Sequence, residues 1–120
     1  MKLFESGEDY LERILILKEK NGQLRSIDLA IDMGFSKPSI SVAMKKLKEA
    51  GYVNIDNDGY IELTDEGLNI AKQIYERHCV LTDFFVSLGV DEITAKKDAC
   101  KIEHDISEES FVAIKRMIKK

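Results

Sequence analysis

Five consecutive residues, CKIEH at 100–104, bring a thiol, a carboxylate and an imidazole together as Cys100, Glu103 and His104. On an α-helix the spacings i, i+3 and i+4 share one face. The chain holds two Cys and two His in 120 residues, and the others are the adjacent pair His78-Cys79. Near the N-terminus Asp9 and Glu12 stand i, i+3 on a second predicted helix. Thiolate, imidazole and carboxylate donors together are the inventory of a divalent transition-metal site. Each residue also has an ordinary reading alone. Asp9 is a helix first-turn acid, Glu12 a surface carboxylate, and His78 a half-buried histidine. Cys79 reads as small core filler, and Cys100 has the same alternative.

The elements that must position these residues sit in a chain of ordinary composition, 44% hydrophobic and 33% charged. This length predicts one compact unit or two small subdomains. No apolar run approaches the ~20 residues of a membrane span, and MKLFESGEDY has no signal-peptide core, so a cytoplasmic location is expected. Two cysteines in that compartment are free thiols or metal ligands rather than a disulfide.

Ser6 reads as an N-cap, followed by the acidic turn Glu8-Asp9 and by Tyr10, Leu11, Ile14, Leu15 and Leu17 at helical spacing. Asn21-Gly22 stops this helix. A short helix follows over Ser26–Asp32, with Ile27, Leu29, Ala30 and Ile31 to bury. After the turn Met33-Gly34-Phe35, Ser36 caps a third helix with Pro38 in its first turn. Ile40, Ala43, Met44 and Leu47 are its inner face; Lys37, Ser41, Lys45 and Lys48 are its outer face. YVNIDNDGYIEL then reads as two short strands about the turn Asn57-Asp58-Gly59. Thr64-Asp65-Glu66 opens a long helix ending near Gly89, Asp91 opens a fifth carrying CKIEH, and Ser107 a last one to the C-terminus. The fold class is mainly α: a winged helix-turn-helix of three helices plus a β-hairpin wing, then an all-helical part, divided as 1–64 and 65–120.

The net charge of −4 argues weakly against nucleic acid, and both halves carry the same balance. Between Gly34 and Lys48, however, there are four Lys and no acid. Local clustering decides docking on phosphates. Lys37, Lys45 and Lys46 are therefore candidate phosphate contacts, with Ser39 and Ser41 near enough to the helix start to reach bases. Tyr60 reads as a strand-packing residue.

Competing readings are a metal-independent winged-helix regulator that responds to a small ligand, and a winged-helix module that binds an acidic protein. A metalloenzyme with Glu103 as base lacks a phosphate-cradling Gly loop and an H-E-x-x-H pattern.

The stretches EDYLERI, FSKPSISVAMKKLKEAGYV, LTDEGLNIA, RHCVL and CKIEH together resemble the metal-dependent repressors of the diphtheria toxin repressor and manganese transport regulator type. The resemblance runs over nearly all of residues 5–118. It implies an N-terminal DNA-binding domain, a helical dimerisation domain and a metal held between them. By position it implies a principal site of Asp9, Cys100, Glu103 and His104, with Glu12 and His78 in the same or a neighbouring site. It also implies DNA contacts from Ser36, Pro38, Ser39 and Ser41. A metal tying the first helix to the fifth is expected to set the recognition helices of a homodimer about one DNA turn apart, ~34 Å, on a palindromic double-stranded operator.

Asp9 follows the manganese-type pattern, where iron-type members have Met. Cys100 follows the iron-type pattern, where manganese-type members have Glu. Thr82 and Lys96 stand where iron-type members complete an ancillary site, so no ancillary site of that design is expected. No SH3-like domain of the iron type is expected, and the last helix is expected to be shorter than in manganese-type members. Thiolate favours Zn(II), Fe(II) or Co(II), and several carboxylates favour Mn(II) or Fe(II). Fe(II) satisfies both and ranks first, Mn(II) second, with Zn(II) and Co(II) as in vitro substitutes.

Overall fold

The computed structural model describes residues 5–118; of Glu5 only the backbone is described, and Lys119 and Lys120, the end of the last predicted helix, lie outside the described residues. Six helices and one hairpin follow in order: α1 Glu5–Asn21, α2 Ser26–Met33, α3 Lys37–Glu49, β1 Val53–Ile55, β2 Ile61–Leu63, α4 Asp65–Ser87, α5 Glu92–Ile102 and α6 Glu108–Ile118. The chain divides into two compact units between Lys72 and Gln73, inside α4.

The first unit is a winged helix-turn-helix. Leu11, Ile14, Leu15 and Leu17 of α1, Leu29 and Ala30 of α2 and Ile40, Met44 and Leu47 of α3 form its core with Val53 and Ile61 of the hairpin. Gly22, at φ 84°, ends α1 with its N–H on the Lys18 carbonyl. Gly34, at φ 71°, does the same for α2, in the left-handed region that glycine enters without strain. Ser36 caps α3 by accepting from the Ser39 N–H at 3.3 Å, and Pro38 lies in the first turn, where no intrahelical donor is lost.

The wing pairs Val53 with Leu63 and Ile55 with Ile61 in antiparallel register. Its loop is tied by the Asp56 carboxylate, which accepts from the Asp58 and Tyr60 N–H groups at 2.9 Å each. The segment before α2 joins the wing from the other side. The Ile61 N–H donates to the Leu24 carbonyl at 2.7 Å, and Arg25 bridges to Tyr60. The first turn of α4 is locked onto the end of the hairpin. The Thr64 hydroxyl accepts from the Gly67 N–H and donates to the Gly51 carbonyl. At Gly67 a Cβ would overlap the Tyr52 carbonyl oxygen, so only glycine permits this approach.

Three expectations are corrected. Helix α1 is already helical at Glu5, so Ser6 lies inside it rather than capping it; serine costs only about half a kcal/mol there. Ile27 and Ile31, expected to be buried, are 43% and 74% exposed, because α2 turns only its Leu29–Ala30 side to the core. CKIEH does not lie wholly on a helix. α5 stops at Ile102, Glu103 is its αR cap, and His104 enters a turn closed by the Asp105 and Ile106 N–H groups on the Ile102 carbonyl.

The second unit is all helical. Its buried apolar residues are Ile74 and Leu81 of α4, Ala95 and Ala99 of α5 and Phe111 of α6. Asp91 caps α5 by accepting from the Ile93 and Thr94 N–H groups. Lys115 of α6 pairs with Glu76 of α4 at 2.7 Å.

Candidate metal centre and nucleic-acid interface

In the second unit, α4 presents His78 and the end of α5 presents Cys100 and Glu103. Their donor atoms lie within 4.8 Å of one another. His78 Nδ1 is 3.0 Å from Glu103 Oε2 and 3.6 Å from Cys100 Sγ. Bond lengths near 2.0–2.3 Å to a shared ion separate neighbouring donors by about 3.1–3.6 Å, so this spacing suits one metal. Cys100 is exposed, His78 half-buried and Glu103 fully buried.

Glu103 fits the role on a second ground. Its Oε1 is buried with no hydrogen-bond partner among the described residues; His104 Nε2 stands 3.5 Å away. A buried acceptor left without a donor costs about 1–3 kcal/mol. A cation at that oxygen removes the cost. Glu103 thus turns one oxygen toward His78 and the other toward His104, a carboxylate set between two imidazoles.

The backbone under Glu103 is held by Arg77, the neighbour of His78. One guanidinium nitrogen donates to the Ile106 carbonyl at 2.8 Å and to the Glu103 carbonyl at 3.2 Å. The other meets Glu108 at 3.1 Å, and the group lies 5.3 Å from the Phe111 ring centre. One residue of α4 therefore ties together the α5 cap, the following turn and the start of α6. Sequence reasoning passed over Arg77; its place beside His78 was the only local signal.

The other expected ligands, Asp9 and Glu12, are on α1 in the first unit, Asp9 half-buried and Glu12 6% exposed. Thr82 and Lys96 are engaged elsewhere. The Thr82 hydroxyl donates to the His78 carbonyl at 2.7 Å, and Lys96 pairs with Glu92. Cys79 is half-buried on α4.

In the first unit, Ser36, Lys37, Pro38, Ser39, Ser41, Lys45 and Lys46 are all exposed at or on α3. The Ser36 and Ser39 hydroxyls are 2.8 Å apart at its N-terminus. Arg25, which the sequence reading did not single out, lies over the Tyr60 ring at 4.5 Å, beside the wing. Tyr60 thus packs against an arginine from the α1–α2 connection.

Residues 2–65 match the iron-dependent repressor N-terminal DNA-binding domain, and residues 64–120 match the iron-dependent repressor metal-binding and dimerisation domain. An uncharacterized HTH-type transcriptional regulator of Methanocaldococcus jannaschii is 39% identical over 97% of this chain and 94% of its own. The transcriptional regulator MntR of Escherichia coli is 33% identical over 94% of this chain and 73% of its own. A solved manganese-dependent transcriptional repressor with manganese superposes with a TM-score of 0.85 at 29% identity over 94% of this chain. The manganese regulator SloR superposes with a TM-score of 0.83 at 25% identity, also over 94%. This chain spans about half of those two structures, 52% and 53% of their lengths. Matched in both its DNA-binding and its metal-binding parts, the chain belongs to the iron-dependent repressor family of metal-dependent transcriptional repressors.

Proposed function

We propose that this chain is a cytoplasmic, non-enzymatic repressor that senses Fe(II), or secondarily Mn(II), and binds a palindromic operator as a homodimer. Residues 1–64 serve DNA binding, and residues 65–120 serve metal binding and dimerisation. The observation that carries the reading is the convergence of His78 Nδ1, Cys100 Sγ and the buried Glu103 carboxylate. The proposed ligand set adds His104, and it adds Asp9 and Glu12 of α1 on the strength of residue type and family resemblance. A bound divalent ion supplies positive charge to a set of anionic and imidazole donors. The thiolate and imidazole favour Fe(II) over Mn(II), and the acids keep Mn(II) in range.

On α3, Lys37, Lys45 and Lys46 neutralise phosphates and fix register, while Ser36, Pro38, Ser39 and Ser41 approach the bases. Arg25 adds a cation next to the wing. Metal acts as an effector through a coupling free energy, typically about 1–3 kcal/mol per site, so DNA must raise metal affinity by the same factor.

The test is fluorescence anisotropy of a labelled duplex from the region upstream of the gene. It runs under anaerobic, reducing conditions, first with chelator and then with Fe(II) or Mn(II). Tightening of tenfold or more, about 1.4 kcal/mol, is the expected result. Tight binding indifferent to metal would reduce Cys100, Glu103 and His104 to structural residues. Stronger tightening by Mn(II) than by Fe(II) at equal free concentration would reverse the metal ranking.

A further inference from the structure

The position of α3 furthest from the core is held by a valine. Ile40, Met44 and Leu47 are its buried stripe. At about 100° per residue these three span roughly 60° of arc, and Val42 stands about 190° from the middle of it. Lys45 and Lys46 flank Val42 at about 60° and 40° to either side, and Ser39 lies one turn before it beside Lys46. Val42 is 56% exposed, and the flanking residues are exposed too. Val42, Ser39 and Lys46 form one wall of an open groove of about 610 Å³, with Ser6, Gly7 and Tyr10 of α1 opposite. The lysine-bearing side noted in the sequence is therefore a flank. The outermost line runs through Pro38 and Val42, one turn apart, and ends at Glu49, whose charge confines docking to the earlier turns.

An exposed apolar residue between two lysines is laid out for a polyanion with an apolar feature at its centre. Duplex DNA has that layout in the major groove. Phosphates run along both walls, and the C5-methyl of thymine is the largest apolar group on the groove floor, where cytosine offers only a C5–H. An isopropyl group set against the N7, O6, N6, N4 or O4 groups would strip water from polar atoms and return no hydrogen bond, and a cytosine C5–H would give it less apolar surface to cover than a methyl. Resting on the DNA-binding function proposed above, we infer that Val42 reads a thymine methyl and fixes a T·A pair at one position of each half-site. Lys45 and Lys46 hold the phosphates on either side.

The intact chain with Mn(II) is used to select from a library of randomised duplexes. The selected duplex is then resynthesised with deoxyuridine replacing each thymidine in turn, which deletes one methyl and leaves the hydrogen-bonding edge unchanged. For the native chain, one position per half-site loses about fourfold in affinity, the effect of one buried methyl group. In Val42→Ala, which keeps a helix-forming residue at an exposed site and is checked by circular dichroism, the penalty at that position falls below about 1.5-fold, and penalties elsewhere stay. A selected duplex that no deoxyuridine weakens, or a penalty unchanged in Val42→Ala, overturns the inference and leaves DNA binding intact. Failure to enrich any duplex overturns both.

Discussion

Replacing Glu103 by Gln should move the metal-free and metal-loaded proteins in opposite directions. Without metal, Glu103 is fully buried, with Oε2 3.0 Å from His78 Nδ1 and Oε1 lacking a hydrogen-bond partner among the described residues. Gln keeps the shape and one polar contact to His78 and removes the anionic group. An orphaned buried acceptor costs about 1–3 kcal/mol. Gln still sets a polar atom at that position, but a neutral one; recovering about 1 kcal/mol of the cost should raise the metal-free melting temperature by about 4 °C for a chain of this size. With metal, a ligand at 100 times its Kd stabilises the native state by about 2.7 kcal/mol; at its Kd, the gain is only about 0.4 kcal/mol. Loss of an anionic ligand that weakens binding about 100-fold therefore removes some 2.3 kcal/mol of metal-induced stability, roughly 9 °C. The assay is thermal unfolding of both proteins across a Mn(II) titration in reducing buffer. The expected outcome is a crossover: the variant melts higher without metal and lower with it. A variant that melts more than 5 °C lower without metal yet shows the full metal shift would refute Glu103 as a ligand and make its burial structural.

Three further perturbations test other parts of the structure. Cys100→Ser, at an exposed position, should leave metal-free stability within about 0.5 kcal/mol while removing the thiolate-to-metal absorption band of the Co(II) form and the metal response in DNA binding; a retained band excludes Cys100 as a ligand. Arg77→Met strips donors from the Glu103 and Ile106 carbonyls and should cost about 1–3 kcal/mol in urea unfolding. Glu108→Gln, at the exposed end of the same network, should cost less than about 0.5 kcal/mol, and equal costs would contradict the carbonyl clamp. Gly67→Ala gains about 1 kcal/mol of helix propensity but drives a Cβ into the Tyr52 carbonyl, so a net loss of about 1–2 kcal/mol is expected; a more stable variant would mean that this approach relaxes freely.

Features encoded by neighbours in sequence were legible before the structure. Ser36-Lys37-Pro38 announces the start of α3, and Asn57-Asp58-Gly59 announces the wing, because caps and turns are set by residues within four positions. Ile27 and Ile31 were misread because periodicity identifies an apolar face but not whether anything covers it. The same limit applies to α3, where lysines at regular steps drew the outer face one-third of a turn away from Val42. At the candidate metal centre the residue types were legible and their arrangement was not. The helix under CKIEH ends at Ile102, and what fixes Glu103 is Arg77, 26 positions earlier. Contacts across that separation follow from how α4 and α5 pack, which no local spacing encodes.

The wing has a consequence for how the protein keeps to itself. A hairpin with three residues per strand is marginal in isolation, and the open edges of a small sheet invite pairing with strands of other molecules. Here β2 has both flanks engaged: β1 on one side, and on the other the Leu24 carbonyl, with the Lys18 ammonium on the Ile61 carbonyl and near Glu62. Among the described residues the remaining open edge belongs to β1, with the polar Asn54 at its centre. That edge is too short to template a foreign strand. The buried Ile61 amide, donating to the Leu24 carbonyl, should exchange its proton with solvent orders of magnitude more slowly than the exposed Asn57 amide at the tip. The wing is thus a braced projection that can stay extended in a crowded cell without nucleating aggregation.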